Sequence, residues 1–390
     1  MCTKRTASGG RTTGYRLAAS VLAACCCTAF PGLAAGVVIT TNTVISATNF
    51  TLDNQPVEVR GATLTITGEH TFTELLLTNG AVVTHPANEP SGMSLTITGN
   101  CTVNAGCRID ANGRGYPATQ GPGGAPNANF GEGGGGGYGG TGGRGNRNVP
   151  GYTYGSIVTP DQPGSGGANS GGAGGGRIRL IVQDVLTVDG QVVANGNNGT
   201  NGGGSGGSIW ITTGTWAGTD GVITAHGGNG GSTPCGAGGG GRIAIEYSQT
   251  SYAGQVAACG GVLPVNRQGG AGTVYIKDQD EALGTVTISN CGNPGARTDL
   301  VEGEEVIDAN VVVTGQAVWG VSRQKPFHPV IAGNLTVAAD GMISASGQGH
   351  PATQGPGGAP NASFGDGGGG GYGGTGGDGG RNVGGTTYGS

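Results

Sequence analysis

The 390-residue chain contains 91 glycines, only 11% charged and 5% aromatic residues, and carries a formal charge of −5 at pH 7. Collagen is excluded, because glycine does not recur at every third position and prolines number only 18. A weakly acidic chain without a basic aromatic patch gives nucleic acid nothing to bind, and β-branched residues alternating with polar ones exclude a wholly disordered glycine-rich polymer.

At the amino terminus, Lys4, Arg5, Arg11 and Arg16 precede an apolar run, Leu17 to Phe30, that is too short to span a bilayer. Small residues at Gly32, Ala34 and Ala35 follow, so residues 1–35 read as an export signal. The stretch Leu22-Ala23-Ala24-Cys25 also resembles a lipobox, which would leave Cys25 lipidated; the apolar run continuing past Cys25 favours ordinary cleavage. Either route sends the protein out of the cell. Loss of four basic and no acidic residues moves the charge from −5 to −9. No later segment is apolar enough to span a membrane.

Five cysteines remain beyond residue 35: Cys101, Cys107, Cys235, Cys259 and Cys291. Cys101 with Cys107, and Cys235 with Cys259, are the candidate disulfides, against burial as small hydrophobes. No Cys/His set has metal-ligand spacing, so neither zinc nor a cofactor is expected.

Residues 36–112 predict short amino-terminal strands. Thr63, Thr65 and Thr67, with Thr96 and Thr98, place threonines on single strand faces, which suits either an ice-ordering surface or an ordinary strand. A pattern Gly-x-β-x-Ala-x-Gly, with β a branched aliphatic residue, then recurs at 190–196, 221–227, 254–260 and 341–347, and with Cys107 replacing the first glycine at 107–113. The alanines at 194, 225 and 258 are 31 and 33 residues apart. A second pattern, a glycine-rich lead-in to an alternating strand, interleaves with it. Its aliphatic positions Ile178, Ile209, Ile243 and Val274 are 31, 34 and 31 apart.

Two patterns on one period predict stacked coils. The expected core is Ile178, Leu180, Val188, Val192, Ala194, Ile209, Ile211, Ile223, Ala225, Ile243, Ile245, Val256, Ala258, Val274 and Ile276. The expected fold is all-β: a single-stranded parallel β-helix, or solenoid, with coils of 31–34 residues over 177–277 and further rungs over 278–346.

Residues 113–176 form a glycine-rich insertion. It buries few side chains, and ordering it costs much entropy, so the first expectation is a flexible excursion. The alternative is a packed bundle of polyglycine-II-like strands pinned by Phe130, Tyr138, Tyr152 and Tyr154. A longer repeat lies over this: residues 109–156 match 343–390 at 38 of 48 positions, so 347–390 is a second glycine-rich insertion. The repeat suggests that the chain belongs to a longer array.

The run Leu186-Thr187-Val188-Asp189-Gly190, the block Gly206-Gly207-Ser208-Ile209-Trp210-Ile211 and the block Gly239-Gly240-Gly241-Arg242-Ile243-Ala244-Ile245 resemble the glycine-rich repeats of large exported bacterial β-solenoid proteins. The resemblance covers most of residues 72–390. It implies a right-handed parallel β-helix of the autotransporter-passenger kind at the cell surface, and it transfers no catalytic residue.

Chemistry-bearing groups are few. Asp278, Asp280 and Glu281 form one acidic cluster and Glu302, Glu304 and Glu305 another; each suits a solvated turn better than a calcium site. Arg177, Ser208, Arg242 and Thr273 hold equivalent strand positions, a column that would meet an acidic glycan or form the polar outer edge of a sheet. His85 and His328 each precede a proline and have no nearby nucleophile to activate. The expected function is therefore a secreted structural or adhesive surface protein, not an enzyme, whose partners are polysaccharide or other cell-surface components. A carbohydrate-active enzyme would instead need a convergent cluster of carboxylates and bases, and a glycan- or ice-binding module a flat ladder of threonines or aromatics.

Overall fold

In the computed structural model the alternating runs become strands. The structure describes residues 36–390 apart from 128–131, 147–148, 232–233, 264–266, 300–305, 321–327, 360–368, 379–383 and 389–390. The export signal, Cys25 and the Glu302–Glu304–Glu305 cluster lie outside the described residues. Within them the protein is all-β, without helix, and its sheets are mostly parallel. Among the described residues no helix is long and apolar enough to cross a membrane.

The first strands are β1 (Val37–Ile39), β2 (Thr43–Ile45), β3 (Pro56–Arg60), β4 (Thr63–Ile66), β5 (Gly68–Phe72), β6 (Glu74–Thr78), β7 (Val82–Thr84), β8 (Met93–Ile97), β9 (Cys101–Val103) and β10 (Arg108–Asp110). After the glycine-rich segment come β11 (Arg177–Val188), β12 (Gln191–Val193), β13 (Ser208–Ala217), β14 (Val222–Thr224), β15 (Arg242–Thr250), β16 (Gln255–Ala257) and β17 (Thr273–Asp278). From β10 onward the chain alternates between two sheets. The long strands β11, β13, β15 and β17 pair in parallel in one, and β10, β12, β14 and β16 in the other.

Register follows the two sequence patterns. Ile178 pairs with Ile209, Ile243 and Val274 in turn, and Val192 with Ile223 and Val256. The period of two in each strand then sends one set of side chains inward, so that Ile209 and Ile211 are buried while Trp210 between them is only half-buried. Of the fifteen expected core residues, thirteen lie in one buried cluster; Val256 and Ile276 pack against it only partly buried.

Among the described residues the parallel order breaks once. Strand β18 (Gly284–Ser289) pairs antiparallel with β17, and beyond it lie β19 (Arg297–Asp299), β20 (Val306–Ile307), β21 (Ala309–Thr314), β22 (Val318–Gly320), β23 (Val330–Ile331), β24 (Leu335–Val337) and β25 (Met342–Ser344). These are parallel again, with a separate buried cluster around Val286, Ile288, Val311, Val313 and Trp319. The sequence reading of further rungs over 278–346 carries no sign of this reversal. A turn closed at Asp278 folds the next strand back onto β17, and period-two alternation reads the same in either strand direction.

Their pairing repeats that of β3 to β10 strand for strand. The pairs β3–β6, β6–β9, β4–β7, β7–β10 and β5–β8 recur as β18–β21, β21–β24, β19–β22, β22–β25 and β20–β23.

The glycine-rich segment is no loose excursion. Residues 133–143 are buried, and their backbone groups bond to later parts of the chain. Gly136 N–H donates to Gly203 O at 2.9 Å, Gly139 N–H to Gly240 O at 3.0 Å and Gly143 N–H to Ala237 O at 2.7 Å. Absence of side chains makes this possible: a Cβ on Gly135 would lie 1.8 Å from Ala237 O. Backbone laid on backbone satisfies its donors and acceptors, so burial needs no apolar side chains.

The two disulfide candidates fare differently: burial as small hydrophobes, the alternative, holds for Cys101 and Cys107, and the pairing of Cys235 with Cys259 is corrected. Cys259 joins Cys291, not Cys235, and Cys101 and Cys107 stay reduced and buried. Sequence proximity was a poor guide, because neighbouring strands in this fold are about thirty residues apart along the chain.

Candidate functional site

Strands β11, β13, β15 and β17 each begin just after a glycine, and their first residues are Arg177, Ser208, Arg242 and Thr273. Parallel pairing sets these four in one row. The row is not an outer edge, however. Ser208, Arg242 and Thr273 are buried, because the glycine-rich segment lies across them. A glycan at the outer surface does not reach these three, and the glycan-contact assignment is corrected accordingly. Arg177, half-buried, donates from Nη1 to Ser91 O.

Arg242 donates from Nε to Tyr154 O at 2.9 Å and from Nη1 to Thr273 Oγ1 at 3.2 Å, with its guanidinium carbon 5.7 Å from the Tyr138 ring centre. Ser208 Oγ gives its proton to Gln162 O, so the 2.7 Å contact with Tyr138 is a donation from the phenol. Tyr154 likewise donates to Pro163 O at 2.6 Å and packs 4.6 Å from Tyr138, ring centre to ring centre. Burial pushes the Tyr138 phenol up to about 12 and Tyr154 well above its ordinary value, so both stay neutral donors.

Of the four expected pins, Tyr138 and Tyr154 hold this place, Tyr152 is exposed and Phe130 lies outside the described residues. The arrangement clamps the glycine-rich layer to the sheet. In this row the Ser208 hydroxyl has its proton committed to a carbonyl rather than to a base.

The acidic candidates form a turn. Asp278 Oδ1 accepts the Asp280 N–H at 3.0 Å and Asp278 O accepts the Glu281 N–H at 3.1 Å, while the Asp280 and Glu281 side chains are exposed. Among the described residues no three His, Cys, Asp or Glu side chains are grouped to hold a metal ion. His85 is fully buried, its Nδ1 bonded to Pro86 O at 2.8 Å, and burial lowers it to about 4. The Cys101 thiol is likewise pushed up to about 12 by burial, and so is no nucleophile near neutral pH. His328 is exposed.

One polar row went unrecognised in the sequence. The residue before the last glycine of the first four Gly-x-β-x-Ala-x-Gly copies is Asn112, Asn195, His226 or Cys259, and in the copy at 341–347 it is Ser346. Asn112 Oδ1 accepts the Asn195 N–H at 2.7 Å, Asn195 Oδ1 the His226 N–H at 2.6 Å, and His226 Nδ1 the Cys259 N–H at 3.0 Å. The signal was present: Asn112, Asn195 and His226, each with a side-chain acceptor, stand at one fixed motif position.

No protein-family model matches the chain, and comparisons with curated proteins and with solved structures find no match.

Proposed function

We propose that the chain is an exported structural or adhesive surface protein, coiled as a single-stranded parallel β-helix and sheathed by its glycine-rich segment. The carrying observation is the buried row Ser208–Arg242–Thr273, in which Ser208 and Arg242 bond to that segment and Thr273 bonds to Arg242. Parallel strands returning after 31, 34 and 31 residues, with aliphatic side chains in unbroken rows, support the coil. Export rests on the basic and apolar residues of the first 35. Contact with polysaccharide or other surface components would be weak at each coil and strengthened by repetition.

The test is incubation of residues 36–390 with acidic and neutral polysaccharides, with and without calcium, following both retention and chain cleavage. Retention without new reducing or unsaturated ends is the expected result. Cleavage of any substrate overturns the structural reading in favour of a carbohydrate-active enzyme.

A further inference from the structure

Among the described residues, the second copy of the β3–β10 unit is covered less than the first. In the first, β11 pairs with both β8 and β9, and β12 pairs with β10. Their counterparts β23, β24 and β25 each have one neighbour and one free edge among the described residues. Side chains follow suit. Val103 and Ile109 have no exposed surface, whereas Val337 and Ile343, 234 residues later, are 43% and 40% exposed. Tyr138 is likewise fully buried, and its counterpart Tyr372 is 62% exposed.

The glycine-rich layer repeats this contrast in its backbone. Its internal bonds recur at the same offset: Gly135 N–H to Gly143 O becomes Gly369 N–H to Gly377 O, and Gly137 N–H to Gly123 O becomes Gly371 N–H to Gly357 O. Outward contacts do not recur. A Cβ on Gly139 would meet Gly241 O at 2.1 Å, but around its counterpart Gly373 nothing lies within 4 Å. Among the described residues the second copy thus keeps these internal bonds while its outward face is open.

We propose that this face, formed by the free edges of β23 to β25 and the glycine backbone at 369–377, is an interaction surface for a chain segment of the β11–β12 pattern, laid in parallel. Such a partner carries a glycine-rich lead-in, a long alternating β-branched strand that spans the β23 and β24 edges, and a short Gly-x-β strand that pairs with β25. Main-chain bonds at an open sheet edge supply the attachment. The alternating side chains cover Val337 and Ile343, and the end of the glycine lead-in lies over Tyr372 as Ser208 lies against Tyr138. The inference goes beyond the proposed surface role and stands or falls on strand pairing alone.

The experiment extends the full chain by a second copy of residues 157–277 placed after Ser390. Amide exchange at 335–337 and 342–344 is then compared with the unextended protein. Exchange at these positions slows roughly a hundredfold or more, toward the level of 101–103 and 108–110. No slowing overturns the proposal. Slowing in the unextended protein as its concentration rises also overturns it, since a second copy would then be the occupant. Ile343→Asp guards against a general folding defect: it leaves the unextended protein's unfolding midpoint unchanged and abolishes the protection gained on extension. A large drop in the unextended midpoint would mean that Ile343 is already covered, and would count against the proposal.

Discussion

The Nδ1 atom of His226 accepts the backbone N–H of Cys259 at 3.0 Å, taking the part that the Asn195 side chain plays toward His226 itself. A parallel row runs beside it, where Asn198 and Asn229 accept the N–H groups of Asn229 and Val262, each at 2.8 Å. Side-chain acceptors thus stitch successive strands together where the chain leaves the short sheet and enters the glycine-rich turns.

His226→Asn should therefore be nearly neutral, since asparagine already serves at this motif position. His226→Leu leaves the buried Cys259 N–H without its acceptor and should cost about 1–3 kcal/mol. Urea unfolding of both variants separates the two outcomes; equal losses would show that the ring's packing matters and its nitrogen does not.

Acid should weaken the fold through neutral histidines. His85 is held at about 4 against an ordinary 6.5, chiefly by burial, and burial also lowers His226. The unfolded chain takes up these protons first. Stability is thus full above pH 6.5 and falls as pH drops toward 4, by about 3 kcal/mol for His85 alone. His85→Phe should flatten that part of the stability–pH curve, measured as the denaturant midpoint across the window.

Gly139 and Gly373 occupy the same place in nearly identical sequences and should answer alanine differently. At Gly139 the new methyl meets a backbone oxygen that has nowhere to go, costing about 3 kcal/mol or more. At Gly373 there is open space, and the loss of unfolded-chain freedom makes the change neutral or slightly stabilising, within about 1 kcal/mol. Thermal unfolding of the two single variants makes the comparison.

Arg242→Met should loosen the glycine-rich layer before it unfolds the sheet. The variant keeps much of the apolar stem but loses the bonds to Tyr154 O and Thr273 Oγ1, a cost of about 2–4 kcal/mol. Faster amide exchange at Gly136 and Gly139, with β13 unchanged, is the expected pattern. Uniform acceleration would mean that layer and sheet open together.

Reduction of Cys259–Cys291 frees a loop with a sequence separation of 32 and should cost about 4 kcal/mol if unfolded-chain entropy dominates. Non-reducing peptide mapping should recover this pair and find Cys101 and Cys107 alkylatable only after unfolding. A Cys235–Cys259 peptide would refute the pairing.

Much of the strand set was legible. Ile178, Ile209, Ile243 and Val274 declared their row by spacing alone, since parallel strands that bury one face must repeat the same alternation at each return. The later repeat was legible over 343–390 but faint before it, because β18 to β23 keep the pairing of β3 to β8 through different side chains. The column Arg177–Ser208–Arg242–Thr273 was also readable as a row. Its burial was not, because what covers it is glycine backbone, and a run of glycines carries no side-chain pattern from which to read a packing partner.

By itself, then, the sequence determined which residues alternate, which rows align and which residues enter the core, because these depend on local period and on spacing along the chain. Three matters were left to the tertiary structure: the reversal at β18, the Cys259–Cys291 pairing and the seating of the glycine-rich segment over Arg242. Each depends on which backbones come close in space. A residue without a side chain, or a turn that tolerates either strand direction, constrains that approach only once its neighbours are in place.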